Sequence, residues 1–250
     1  MKKIIIFAII VIVVLLALFA YYFLVSNPLN SATVKDIPVP VGCHRVEDKS
    51  SKAKFLRNLP LKATGSLVYT YKDGVALNNL VNYAVIDIPV ISNAEQCADM
   101  CMRLHAEHQY EHKLPIRFKS VNNENLPFKG GSKKELYAYL KKVYGVASTY
   151  SLSKLPNKDF KDVRVGDIFV YPSRKKGRYG HAITVVDVAK DLMGNIYVML
   201  AEGCTPACDL HILRNYRNPL NSAWFKLKTD AEYVRFDGIK YYKNELRYFD

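Results

Sequence analysis

Two side chains suited to covalent chemistry lie far apart in this 250-residue chain: Cys97, in Gln96-Cys97-Ala98-Asp99, and His181, in Gly180-His181. A cysteine near a helix start with a histidine on a distant strand is a common arrangement of a thiol nucleophile. The reactive species is the thiolate, which both a helix N-terminus and an imidazolium favour. Glu202 supplies a third group. The strand that opens at His181 and the strand that closes at Glu202 flank the turn Asp191–Asn195. The middle of that turn falls near the midpoint of 181 and 202, so a tight hairpin sets the two side chains almost opposite, on one face. A carboxylate there could orient the imidazole and stabilise its charged form. The expected catalytic set is therefore Cys97, His181 and Glu202.

A second reading of Cys97 stays open beside this one. Ser92 and Glu95 match a Ser-x-x-Glu capping box, which opens a helix running to about Tyr110. With Ser92 as the cap, Cys97 is the fifth helical residue, beyond the first turn where the free N–H groups act. Asp99 adds negative charge nearby, and a buried cysteine also serves as a small apolar side chain. Gln96 and Arg103 are the candidate substrate-binding residues. Arg103 offers a planar fork for a carboxylate, although Asp99, Arg103 and Glu107 also step by four along a helix as an ordinary ion-pair ladder.

The five cysteines are 43, 97, 101, 204 and 208. Cys97 with Cys101 and Cys204 with Cys208 share a three-residue spacing that would suit a four-thiolate zinc site. A disulfide between Cys204 and Cys208, or from that loop to the helix, is preferred, so neither metal nor cofactor is expected. His105, His108 and His112 fall on one face of the same helix, where a solvated helix end is the expected role.

The elements that must position these groups read as helices first and strands later. A second helix spans Ser132–Tyr144, with Leu136, Tyr139, Leu140 and Val143 on one face. Gly65–Tyr71 and Val81–Ile88 read as strands around an Asp73-Gly74 turn. They are followed by Ile168–Tyr171, His181–Val188, Ile196–Glu202, Leu210–Leu213, Trp224–Leu227 and Tyr233–Phe236. The expected class is α+β, helices packed on a mostly antiparallel sheet.

At the N-terminus, Ile4–Val25 is a run of 22 residues without charge, Gly or Pro, preceded by Lys2 and Lys3. It reads as one transmembrane helix, a retained signal anchor, rather than a cleaved signal peptide with its shorter apolar core. The expected order is a cytoplasmic tip at 1–3, the span at 4–25, a linker at 26–40 and an extracytoplasmic domain at 41–250. That makes a single-pass protein of the inner (cytoplasmic) membrane with its N-terminus in the cytoplasm. The net charge of +13 favours anionic partners such as lipid headgroups or carboxylate-bearing wall polymers, peptidoglycan among them. No base-reading motif is present, and nucleic acid is not an expected partner.

Gln96-Cys97, Gly166-Asp167-Ile168-Phe169-Val170, Gly180-His181 and Glu202 together resemble the papain-like amidases and endopeptidases, especially the CHAP branch and the NlpC/P60 peptidases. The resemblance covers roughly residues 92–203. It implies a papain-like fold and hydrolysis of amide bonds in cell-wall peptides, with Cys97 as nucleophile, His181 as base and Glu202 as orienter. Across nearly the whole domain the chain also resembles an exported bacterial family known only as a domain of unknown function. That likeness rests on Arg57-Asn58-Leu59-Pro60-Leu61, Gln96-Cys97-Ala98-Asp99, Arg103-Leu104, Ala106-Glu107 and Gly180-His181.

Overall fold

The computed structural model describes residues 2–26, 31–77, 82–173, 179–218 and 223–249. Its centre is an antiparallel sheet, eight-stranded among the described residues, with the path β12 (Leu246–Arg247), β5 (Ile168–Tyr171), β6 (His181–Asp191), β7 (Ile196–Glu202), β8 (His211–Leu213), β2 (Asn82–Val85). β1 (Cys43–Arg45) pairs with the far end of β6, and β9 (Phe225–Leu227) with the start of β7. Two small hairpins stand apart, β3 (Arg117–Lys119) with β4 (Asn125–Pro127) and β10 (Tyr233–Phe236) with β11 (Ile239–Tyr242). α2 (Ser51–Arg57) and α3 (Cys97–Glu111) pack on β6. α4 (Lys133–Tyr144) and the short α5 (Thr149–Leu152) complete the α+β domain.

β6 and β7 are buried along almost their whole length because helices and loops cover both faces. Ile183, Val185, Val186, Val198 and Leu200 are all fully buried. Continuous Val/Ile/Leu runs rather than strict alternation are what such a strand requires. α4 begins where its sequence says it should: the Ser132 hydroxyl accepts the Glu135 N–H, and Glu135 reaches back to the Ser132 N–H at 2.7 Å. Its apolar face, Leu136, Leu140 and Val143, is buried against α3 neighbours such as Met102 and Ala106.

Several expectations are corrected. Ile4–Val25 does lie within a helix, α1 (Lys2–Ser26), whose side chains from Ile5 to Ala20 are exposed. Among the described residues, however, no helix is long and apolar enough to cross a membrane. The transmembrane anchor, and the inner-membrane placement built on it, are overturned by that finding. The expected linker is also packed where it is described, residues 31–40. Val34 and Ile37 are buried, the Val34 N–H donates to Leu59 O at 3.1 Å, and the Trp224 indole donates to Pro38 O at 2.8 Å. Gly65–Tyr71 forms no ladder strand. It makes only single bridges, Tyr69 to Ala76 and Thr70 to Cys208, between turns at Gly65 and Gly74 that both hold positive φ. Of the expected strand at 81–88, residue 81 lies outside the described residues.

A buried aspartate fastens the N-terminal segment to the sheet. Asp187 on β6 is fully buried and accepts from Arg45 Nε at 2.5 Å and Arg57 Nε at 2.7 Å. The two guanidinium groups reach on to Ile37 O and Val46 O, tying β1, α2 and the 31–40 segment to one carboxylate. Stripping one partner from a buried ion cluster leaves charge without compensation. Asp187→Ala should therefore cost about 3–5 kcal/mol in urea-induced unfolding.

Candidate functional site

α3 starts at Cys97, four residues later than its sequence suggests. The residue before it, Gln96, is extended at φ −92°, ψ −165°, and its N–H donates to the Asp99 carboxylate at 2.9 Å. Ser92 and Glu95 make a turn instead of a capping box, because the Glu95 side chain is claimed from inside. It accepts from Ile91 N–H at 2.7 Å, from Tyr144 OH at 2.8 Å and from Arg103 Nη1 at 3.0 Å. A negative charge on Cys97 consequently meets the unpaired N–H groups and dipole of a helix's first turn. Burial, opposed by the Gln96 N–H and helped by the charge of Glu95, pushes the Asp99 carboxyl up to about 7. Below that pH it is neutral.

A β-bulge brings His181 and Glu202 together. Lys190 pairs with Ile196, and extending that register unbroken would put Glu202 opposite Thr184, three residues from His181 and so on the wrong face. Instead Val186 is inserted as a bulge between the pairs Asp187–Met199 and Val185–Leu200. The slip of one residue restores the parity. His181 and Glu202 become diagonal neighbours on one face, with His181 Nε2 at 2.6 Å from Glu202 Oε2. With Nε2 committed to the carboxylate, Nδ1 is the ring nitrogen left for Cys97, whose interaction with the imidazole raises the ring's pKa together with that of Glu202.

β8 adds a group that sequence reasoning missed. His211 pairs directly across from Glu202, and its Nε2 lies 3.5 Å from Glu202 Oε1. Three adjacent strands thus present a row of imidazole, carboxylate and imidazole. Counting the short loop from Glu202 to the expected strand at Leu210 would have found it. A glycine lets the row approach α3: a Cβ on Gly203 would stand 2.8 Å from Met100 Cγ. Thr205, in the same loop, donates to Gln96 Oε1 at 3.0 Å, and Cys204 is disulfide-bonded to Cys208.

These groups border a cavity of about 400 Å³ whose walls include His181, Glu202, Cys204, Thr205, His211 and Asp237. Asp237 sits in the turn between β10 and β11 at φ +41°, and burial raises its carboxyl pKa, with the charge of Glu202 adding to that. Cys97 is 5 % exposed and does not itself line the cavity; its partner His181 does.

The other candidates are placed elsewhere. Arg103 is 1 % exposed, and its fork is taken up by Glu95, Glu107 at 2.9 Å and Pro89 O at 2.7 Å, so it lies away from the cavity. It bonds no Asp99, unlike the expected ladder. His105 and His108 are buried rather than solvated: His105 stacks on Phe249 at 4.2 Å, and Ser51 Oγ lies 2.9 Å from His108 Nε2. Burial lowers their pKa to about 3 and about 4 respectively. Cys101 takes a hydrogen bond from Thr184 Oγ1 at 3.3 Å, and burial pushes its thiol up. The disulfide, with Cys43, Cys97 and Cys101 free, leaves no four-thiolate cluster among the described residues.

A family model described as "Domain of unknown function (4846)" matches residues 34–130 and 126–248. The chain belongs to that family. The match includes Cys97, His181, Glu202 and His211. Comparison with curated proteins gives no match, and comparison with solved structures gives none.

The electrostatics of the row set its pH window. Burial disfavours the imidazolium of His181, but hydrogen bonds and charge from Cys97 and Glu202 outweigh it and hold the pKa up at about 10. Burial likewise disfavours the Glu202 carboxylate, yet bonding to His181 and His211 holds it down at about 2. His181 contributes stability fully below its ordinary 6.5 and loses it as pH rises through about 10. Glu202 contributes fully above its ordinary 4.5 and loses it as pH falls through about 2. Both contributions are complete only between about 4.5 and 6.5. In an NMR titration the His181 ring should change protonation near pH 10, and Glu202→Gln should lower that midpoint by more than one unit. An unchanged midpoint would remove Glu202 as the cause.

Proposed function

We propose that this chain is a papain-like cysteine hydrolase acting on amide bonds, with cell-wall peptides as its substrate class. The observation that carries the reading is the constellation itself. A cysteine is the first residue of a helix and interacts with an imidazole whose Nε2 lies 2.6 Å from a buried carboxylate. That is the order of groups a thiol nucleophile, its base and an orienting acid require. The CHAP and NlpC/P60-like residue pattern and the net charge of +13, which favours carboxylate-bearing wall polymers, support the substrate class.

In this reading the Cys97 thiolate attacks the scissile carbonyl carbon. The developing oxyanion is received by the Cys97 N–H, which has no intrahelical partner at the helix start, and by the Gln96 amide NH₂. Thr205 occupies the Gln96 oxygen and so leaves that NH₂ group free to donate. His181 passes its proton to the leaving amine, giving a thioester on Cys97. Water then attacks the thioester with His181 as base, releasing the carboxylate product and returning the proton to the imidazole. Glu202 holds the ring and balances its charge throughout. Arg103 acts only as a positioning residue, through Glu95 and the segment that delivers Cys97.

Cys97→Ala and Cys97→Ser should each lower release of new amine from wall peptides by at least a thousandfold while peptide binding persists. Iodoacetamide should label Cys97 in the folded chain, and His181→Ala should slow that labelling. A chain that binds wall peptides yet releases no amine at any pH from 5 to 9 would be a binding domain instead.

A further inference from the structure

The loop between β7 and β8 brings together a second set of groups with ligand chemistry. The ligand atoms of Cys204, Cys208 and His211 all lie within 4.8 Å of one another, with Cys208 and His211 buried and Cys204 on the cavity wall. The two sulfurs are joined as a disulfide. We propose that reduction of the Cys204–Cys208 bond opens a zinc-binding site, formed by both thiolates, His211 and, as fourth ligand, Glu202.

Four observations point to this. The Cys204-Thr205-Pro206-Ala207-Cys208 spacing falls within the two to four intervening residues usual for paired zinc thiolates. His211 Nδ1 donates to Asp209 O at 3.0 Å, the outer hydrogen bond usual for a metal-bound histidine, and Nε2 is the nitrogen left to serve as a ligand. That Nε2 faces the Glu202 carboxylate at 3.5 Å. Finally, two ligands bound tetrahedrally at about 2.0–2.2 Å stand roughly 3.3–3.6 Å apart, which is the separation already present.

The chemistry balances with a dithiol as reductant. The dithiol gives two electrons and two protons to the S–S bond, closing to its own disulfide and leaving two cysteine thiols. Zinc then displaces those two protons as it binds both sulfurs as thiolates. The site needs no contribution from Cys97, and its existence does not depend on the hydrolytic reading.

The test uses the full chain with Cys97→Ala, which removes the reactive thiol from competition, and cobalt(II) as a spectroscopic stand-in displaceable by zinc. After reduction, one equivalent of cobalt should produce a sulfur-to-metal charge-transfer band that zinc abolishes. The oxidised chain should give no such band. Cys208→Ser and His211→Ala should each weaken binding at least tenfold. Alkylation of the reduced loop in the otherwise intact chain should abolish the band, which guards against loss of fold in those variants. A band in the oxidised chain, an unchanged affinity in Cys208→Ser, or no band after reduction would each overturn the proposal.

Discussion

The carboxylate of Glu202 is the constraint around which the centre of the molecule is arranged. A charge that is nearly fully buried cannot persist without partners, and two imidazoles supply them from the neighbouring strands on either side. Meeting that demand fixes three things together. β6 must carry a bulge at Val186, β8 must begin at His211 in direct register, and Gly203 must let the strand end run close under α3. The same carboxylate then holds His181 charged beside Cys97, so the stability of the sheet centre and the chemistry of the site share one electrostatic cause.

Behind the site, a second buried cluster determines where the helix begins. Arg103, fully enclosed, is balanced by Glu95 and Glu107, and Tyr144 and Tyr137 donate to those two carboxylates. Once Glu95 is turned inward to Arg103, it cannot cap a helix at Ser92, and the first helical residue becomes Cys97. A residue that looked like a substrate clamp thus acts on Cys97 at a distance, by placing it at the first turn of the helix.

The disulfide loop joins the two halves of this arrangement. It follows Glu202, touches Gln96 through Thr205 and returns the chain to His211. Whatever changes the bonding of Cys204 and Cys208 acts on both Gln96 and the Glu202 carboxylate.

The sequence by itself determined the α+β class, the later strands and the helix at 132–144. These follow from local signals: alternation or continuity of apolar residues and a capping serine. Left to its turn, the hairpin about Asp191–Asn195 would have put His181 and Glu202 on opposite faces, and the bulge at Val186 is what brings them to one face. Tertiary structure alone decided the start of α3, the burial of Arg103, His105 and His108, the packing of residues 31–40, and the arrival of His211. Each depends on a partner distant in sequence: Glu95 claimed by Arg103, His105 by Phe249, Pro38 by Trp224, Glu202 by a strand beyond the next loop. It also decided that no described helix qualifies to cross a membrane, where the length of the apolar run had suggested one. A local pattern records what a segment would do alone, whereas buried charges and rings take their places from whichever distant group can satisfy them.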